Sequence, residues 1–304
     1  MRDLVSRVYE DARIAKETGV LPGIVTGFDP FDGLVGTLRP GNLIVIAGET
    51  GSGKTALATQ LGVTMAEREI AVRMTSLEME GAEIATRILS ARAGVNSQSM
   101  SDGRITDHEL DDMMTAAEGL MHLPFWIDAH PRQSVATIQA RLERAKKLRG
   151  VKVGIIDHLQ YVRPEGPRGE MHERVAQVVD DIKALAKRLQ IVIFLLSHVN
   201  RGVDLATINT AADVKRPFLS QLYGSSAIEK AADAVVFVHR PSWFLDRATP
   251  QSKYRKQWED DKINWRGKAE LVMPKRRSGQ GFGTCTVWFD DDKTRFREMG
   301  SHFE

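Results

Sequence analysis

The sequence predicts an α/β fold, in which helices flank a mostly parallel sheet that ends in an antiparallel C-terminal extension. Short apolar runs alternate with helical patterns from residue 42 to about residue 238, as is typical of a parallel sheet covered on both faces. After residue 268, short strand-like runs follow one another with few helices between them. The 304 residues are enough for one large domain or two small ones.

The individual elements follow from hydrophobic spacing and from start and stop residues. We predict strands at 43–47, 72–77, 125–128, 151–157, 191–197 and 234–238, and short C-terminal strands at 270–274, 284–289 and 295–297. Helices are predicted at 4–17, 54–68, 84–93, 107–120 and 175–189, with another after the N-cap Ser134. Segment 22–41 is predicted to be loop-rich, 163–171 and 200–220 to be mobile loops, and 242–268 to be an insertion with its own helix.

Bulk composition limits the class of protein. The formal net charge is only +2, so basic residues that contact a polyanion have to be gathered locally. The single cysteine, Cys285, excludes an internal disulfide framework and is typical of an intracellular protein. No apolar run approaches the ~20 residues that span a bilayer, and the first residues lack the apolar core of a signal peptide. We therefore expect a cytoplasmic protein without a membrane partner.

A phosphate-binding loop is predicted where the first strand meets the second helix. The motif G-x-x-x-x-G-K-[ST] is formed by Gly48, Glu49, Thr50, Gly51, Ser52, Gly53, Lys54 and Thr55. Its glycines let backbone N–H groups face phosphate oxygens at a helix N-terminus. Lys54 is expected to reach the β- and γ-phosphates of a nucleoside triphosphate, and Thr55 to place its hydroxyl on Mg²⁺. The alternative is a tight glycine turn without a ligand.

Three side chains that end predicted strands are candidates for hydrolysis. Asp157 is expected to hold the magnesium ion, although an aspartate there also caps helices. Glu78 is either the group that polarises the attacking water or a solvated acid. His198 is either a satisfied structural histidine or a sensor of the γ-phosphate.

Ordered motifs from about residue 20 onward resemble the ATPase domain of DnaB-type replicative helicases. They occupy 26–29 with 38–41, 76–79, 155–160, 196–201, 215–217, 224–233 and 269–279, in the order of the family. The resemblance implies a RecA-like, ATP- and Mg²⁺-dependent DNA helicase that assembles as a ring, usually a hexamer, on single-stranded DNA. It also implies 5′–3′ translocation, and a primase, polymerase or loader as partner.

The resemblance assigns roles to residues on two subunits. Lys54, Thr55, Glu78, Asp157 and His198 are expected to act within one subunit. The neighbouring subunit is expected to contribute Lys275 and Arg277, with Arg277 as an arginine finger. The alternatives are a basic strand end bound to nothing and a nonspecific DNA patch.

DNA contacts are expected in the two loops that follow Asp157 and His198. The candidate side chains are Arg163, Arg168, Arg201, Lys215 and Arg216. Basic groups in a ring channel grip phosphates without reading sequence, as a sliding motor requires. Ordinary solvated loop charges are the alternative.

The resemblance divides the chain into a linker helix at 1–18 and a RecA-like ATPase domain at 19–304. In the family such a helix docks on the adjacent subunit, whereas docking on its own domain is the alternative. The chain departs from the DnaB pattern in having His198 where glutamine is usual, Tyr223 where arginine is typical, a longer 242–268 segment, and only the short helix before the motor. The histidine is similar to that of phage primase–helicases and the mitochondrial helicase Twinkle, so phage, plasmid and organellar origins remain open.

Two other functions remain open. One is a recombinase or circadian-clock-type ATPase on the same fold, against which the motif at 76–79 and the Lys-x-Arg strand argue. The other is a regulatory or loader-like ATPase that uses ATP as a switch. Glu78 and Arg277 argue for turnover and against that switch.

Overall fold

The computed structural model describes residues 1–18, 22–164, 171–199, 207–222, 224–277 and 282–300. The helices are α1 Arg2–Thr18, α2 Asp29–Val35, α3 Lys54–Glu67, α4 Gly81–Ala93, α5 Ser97–Ser101, α6 Asp107–Met121, α7 Val135–Arg149, α8 Met171–Leu189, α9 Ser225–Ala231, α10 Pro241–Leu245 and α11 Arg255–Trp265. The strands are β1 Leu43–Gly48, β2 Val72–Ser76, β3 Phe125–Ala129, β4 Val153–Asp157, β5 Val192–His198, β6 Ala234–His239, β7 Lys268–Arg276, β8 Gly283–Asp290 and β9 Arg295–Glu298. Within these ranges no helix is long and apolar enough to cross a membrane.

The nine strands form one sheet in the order β3-β2-β4-β5-β1-β6-β7-β8-β9. The six strands from β3 to β6 are parallel, and β7, β8 and β9 continue the sheet in antiparallel fashion. This arrangement confirms the predicted fold class. Strand β1 lies between β5 and β6, so the loop that follows β1 is flanked by the carboxyl ends of both neighbours, where open α/β sheets bind ligands.

Both faces of the parallel strands are covered, as their continuous apolar character predicts. Ile44 and Ile46 of β1 belong to the core on one side with Leu57 of α3. Val45 belongs to the core on the other side with Ile182 of α8. Burying each such side chain contributes about 1.5–3 kcal/mol, so β1 is a firmly anchored strand from which the phosphate loop emerges.

Helix α2 was not predicted, because it lies in the segment expected to be loop-rich. Helix α2 begins with Pro30 in its first turn and buries Phe31 and Val35. The Asp32 carboxylate accepts hydrogen bonds from the backbone N–H groups of Thr26 and Gly27, at 2.9 and 2.8 Å. These hydrogen bonds stabilise the start of the helix, and hydrophobic spacing in the sequence does not reveal them.

The other differences are small. Helices α5 and α9 were not predicted, β4 begins at residue 153 rather than 151, and β7 extends to residues 268 and 276 on either side of the predicted strand. The insertion at 242–268 does contain its own helix, α11, whose tryptophans pack with α10 around Phe244 and Leu245. Residues 165–170 and 200–206 of the two predicted mobile loops lie outside the described residues.

Helix α1 confirms the predicted N-terminal helix and leaves apolar side chains in solvent. Val5, Val8, Tyr9 and Ile14 are 58%, 68%, 69% and 41% exposed. These four side chains are therefore not buried against the described part of their own domain.

Candidate nucleotide-binding site

The predicted phosphate loop follows β1 and opens directly into α3. Gly51 and Gly53 adopt φ values of 80° and 97°, which favour glycine because a Cβ is disfavoured there. At Gly48, a Cβ would lie 2.6 Å from both Ser52 Oγ and the Val238 carbonyl oxygen. The loop therefore closes tightly beneath the N-terminus of α3, where free backbone N–H groups attract anions.

Lys54 is buried within this loop. Its Nζ donates hydrogen bonds to the carbonyl oxygens of Gly48 and Glu49, at 3.0 and 2.7 Å. Burial lowers the pKa of Lys54 to about 8, while the carboxylates of Asp157, Glu49 and Glu78 oppose that shift. A phosphate group beside Nζ would favour the charged ammonium, as the predicted role requires.

Thr55 and Asp157 meet at the start of α3. Thr55 Oγ1 donates a hydrogen bond of 2.9 Å to Asp157 Oδ2, and Asp157 is 1% exposed. Burial raises the pKa of Asp157 to about 6, against the Thr55 hydrogen bond, which lowers it. Both side chains line a cleft of about 560 Å³ together with the phosphate loop. A hydroxyl and a carboxylate side by side are oxygen ligands of the kind that Mg²⁺ prefers, so these residues fit that ion.

A chain of polar contacts joins Glu78 to the phosphate loop through two histidines. Glu78 Oε2 lies 2.8 Å from His158 Nε2, which lies 2.9 Å from His198 Nε2. His198 Nδ1 lies 3.5 Å from Thr50 Oγ1. Burial lowers the pKa of His158 to about 4, with a further contribution from the Lys54 ammonium. The structure thus brings the predicted residues Glu78 and His198 together through His158.

His158 and Arg240 were missed by the sequence analysis. Arg240 follows β6, is 6% exposed, and donates a hydrogen bond of 3.3 Å to the carbonyl oxygen of Gly51. Its guanidinium also pairs with Asp291 and stacks on Phe289, 4.3 Å from the ring centroid. Both missed residues directly follow parallel strands that border the site, and this position was the available signal.

Lys275 and Arg277 lie at the amino-terminal ends of the parallel strands, whereas the phosphate loop follows the carboxyl end of β1. Lys275 pairs with Val235 at the beginning of β6, and the Arg277 backbone N–H donates to the Asp233 carbonyl oxygen at 2.7 Å. Asp233 Oδ2 in turn accepts a hydrogen bond of 2.7 Å from the N–H of Leu43, the first residue of β1. The phosphate loop begins at the other end of β1, roughly 17 Å away at about 3.3 Å per residue. Neither basic residue therefore lies at the phosphate loop of its own chain.

The predicted DNA-binding residues do not form one described patch. Arg216 makes a bidentate salt bridge with the buried Glu270, at 2.9 and 2.6 Å, which favours a role inside the chain. Lys215 lines a small cavity behind the phosphate loop, and Arg163 is exposed where its N–H meets the Gln133 carbonyl at 2.9 Å. Arg168 and Arg201, like Tyr223, lie outside the described residues. The DNA-binding assignment stays a prediction.

Comparison with known proteins identifies the family of this chain. The model of the DnaB-like helicase C-terminal domain matches residues 23–298. The chain belongs to this family. Two solved structures have the same fold at 24% identity and 98% coverage of this chain. One is "The Structure Of A DnaB-Like Replicative Helicase And Its Interactions With Primase" (TM-score 0.82, 67% of that chain), and the other is "ATPase Domain of G40P" (TM-score 0.83, 98% of that chain).

Curated relatives are replicative helicases of bacteria. The replicative DNA helicase DnaB of Rickettsia bellii is 28% identical over 96% of this chain and 60% of its own length. DnaB of Leifsonia xyli is 33% identical over 92% of this chain and 57% of its own length. The replicative DNA helicase DnaC of Bacillus subtilis is 26% identical over 100% of this chain and 63% of its own length. The chain thus spans about 60% of the length of these DnaB-type relatives.

Proposed function

We propose that this DnaB-type domain is an ATP-driven DNA helicase that forms a ring, usually a hexamer, and moves 5′–3′ on single-stranded DNA to separate duplex strands. One observation carries the proposal. The groups for binding and hydrolysing a nucleoside triphosphate meet at the carboxyl ends of the parallel strands. Two basic residues expected to act in trans lie at the amino-terminal ends of the same strands.

Within one subunit the proposed roles follow from the contacts. Lys54 and the loop N–H groups bind the phosphates, and Thr55 and Asp157 hold the magnesium ion. An ion held by these two residues would supply positive charge against the charge that develops on the phosphates. Glu78 accepts a proton from the attacking water, and His198 reports the state of the γ-phosphate at Thr50.

Ring assembly completes the site in this proposal. Lys275 and Arg277 face the phosphate loop of the neighbouring subunit, where the Arg277 guanidinium stabilises charge on the transferred phosphoryl group. Residues 1–18 are the linker that holds the ring, and residues 19–304 are the motor. The exposed apolar side chains of α1 support this division, because a helix docked on a neighbour leaves them uncovered in a single chain.

The proposed DNA contacts are Arg163, Arg168, Arg201 and Lys215, which grip the backbone of single-stranded DNA without reading sequence. Arg216, which was expected among them, is instead proposed to stabilise the fold through Glu270. The DnaB-like replicative helicase among the solved structures has interactions with primase, and we propose a primase, polymerase or loader as a partner here as well. The proposed location is the cytoplasm.

The test is to measure ATP hydrolysis with and without single-stranded DNA, beside unwinding of a forked duplex. We expect DNA to stimulate hydrolysis and the ring to unwind a fork with a free 5′ tail. Glu78→Gln is the matched control, because it keeps the size of the side chain and should bind ATP without turning it over. An assembled ring, verified by native mass spectrometry, that shows neither stimulation nor unwinding would contradict the proposal.

A further inference from the structure

Three metal-binding side chains converge beside the phosphate loop. Glu78, His158 and His198 each offer one ligand atom, and these three atoms lie within 4.8 Å of one another. In the part of the chain that the structure describes, these are the one group of three or more histidine, cysteine or acidic side chains arranged in this way.

Hydrogen bonds cannot satisfy all three facing atoms of Glu78, His158 and His198 at once. His158 Nε2 faces a carboxylate oxygen at 2.8 Å and an imidazole nitrogen at 2.9 Å. A neutral imidazole has one N–H, so His158 Nε2 can donate one well-directed bond to one of these two neighbours. If His198 donates to His158 instead, two bare acceptors face each other between His158 and Glu78. A cation among the three atoms contacts three lone pairs at once.

The donor set selects the kind of cation. Two imidazole nitrogens and one carboxylate oxygen suit Zn²⁺ and neighbouring divalent transition metals better than Mg²⁺ or Ca²⁺. Zinc–ligand bonds of about 2.0–2.1 Å place tetrahedral ligand atoms roughly 3.4 Å apart. The histidine nitrogens therefore separate by about half an ångström on binding, and the half-exposed Glu78 side chain has room to follow.

The cluster is also accessible. Its three side chains line the same open cleft as Lys54 and Thr55, so an ion can enter and keep a fourth, exchangeable ligand. Other histidine–acid pairs lack this set. His108 and Asp112 form an exposed pair of two, and Asp128 beside His130 is already bonded to two arginines.

We propose that Glu78, His158 and His198 form a binding site for a divalent transition metal of the zinc class. The occupied site holds the Glu78 carboxylate on the metal and away from water. Its regulatory consequence rests on the proposed function: zinc inhibits hydrolysis by sequestering the general base, separately from the Mg²⁺ position at Thr55 and Asp157.

The test uses the full chain, stripped with a chelator, in the absence of nucleotide and Mg²⁺. Co²⁺ is the probe because a tetrahedral site gives intense visible bands, and Zn²⁺ is then added in competition. We expect one Co²⁺ per chain with tetrahedral bands that Zn²⁺ abolishes. His198→Gln should weaken Co²⁺ binding at least about tenfold, because losing even a hydrogen-bond partner of a metal ligand typically costs about 10–100-fold in affinity. His108→Gln, at an exposed histidine, is the matched control and should leave binding unchanged.

Unchanged Co²⁺ affinity in His198→Gln, with its fold verified by circular dichroism, overturns the proposal. Weak octahedral bands in the parent chain, or loss of binding in His108→Gln, overturn it as well. The outcome is separable from that of the proposed function. Metal binding by a chain that lacks ATPase activity contradicts the helicase proposal alone, whereas an active helicase without a cobalt site contradicts this inference alone.

Discussion

The position of Arg277 predicts that two inactive variants restore each other in a mixed ring. Arg277→Ala leaves the phosphate loop and Glu78 of its own subunit intact, and Glu78→Ala leaves its own Arg277 intact. Arg277 lies at the amino-terminal ends of the parallel strands, away from the phosphate loop of its own chain. A complete site therefore arises where the loop of an Arg277→Ala subunit faces the arginine of a Glu78→Ala subunit.

The size of the recovery follows from counting interfaces. In a head-to-tail ring assembled at random from equal amounts, half of the sites carry Glu78 and half of their neighbours carry Arg277, so about one quarter of the interfaces are complete. An arginine finger contributes about 10³–10⁵ in turnover number and a general base about 10²–10⁴, so each homogeneous variant ring is expected to hydrolyse ATP very slowly. We therefore expect the mixture to recover about a quarter of the parent ATPase rate, if sites act independently.

The assay is steady-state ATP hydrolysis with saturating single-stranded DNA, on rings dissociated and reassembled together. Native mass spectrometry of variants that differ in tag mass verifies mixing. If verified mixed rings hydrolyse no faster than the average of the two homogeneous variants, Arg277 does not act in trans and the reasoning is wrong. The same reassembly applied to the parent chain controls for losses.

Three further predictions concern stability and assembly. Burial lowers the pKa of His239 from 6.5 to about 4, so on lowering the pH from 7 to 5 the imidazole is protonated in the unfolded chain before it is protonated in the folded one, and the free energy of unfolding falls. His239→Asn should remove about 2 kcal/mol of this decrease, as measured by urea denaturation at both pH values. An unchanged dependence of stability on pH would refute the prediction. Arg216→Ala should destabilise the fold by about 1–3 kcal/mol, because it leaves the buried Glu270 carboxylate without its partner; Arg216→Ala with Glu270→Gln should regain part of this, and equal stability of parent and single variant would contradict the pairing. Val8→Asp should reduce the fraction of rings in light scattering, since it charges the exposed apolar side chain on α1; Ser6→Asp on the same helix is the control, and equal losses would mean that charge alone weakens assembly.

The sequence was sufficient for the parallel strands and the phosphate loop, because both depend on local patterns. The apolar run 43–47 and the motif that follows it occupy consecutive residues, and the structure has them where they were predicted. Helix α2 was not accessible in this way. It is held by Asp32 and by Phe31 and Val35 in the core, and these contacts overcome a local sequence rich in glycine and proline.

The candidate site was predictable as a set of strand ends, although not as a set of contacts. Glu78, Asp157 and His198 each end an apolar run, which a sequence displays. The contact of His158 with both Glu78 and His198 depends on the order of β2, β4 and β5 in the sheet, and strand order is decided by long-range packing. Arg240 was missed for the same reason, since its partners Gly51 and Asp291 are distant in sequence.

The hydrogen bonds at Asp233 have a mechanical consequence. The Asp233 carboxylate holds the first N–H of β1 and the Lys183 ammonium, and its carbonyl oxygen holds the main chain of Arg277. Strand β1 therefore connects the phosphate loop at its carboxyl end to Asp233, which binds the main chain of Arg277, at its amino end. In the proposed ring, we expect a displacement of β1 by the nucleotide to reach Arg277, and through it the neighbouring site, by way of these hydrogen bonds.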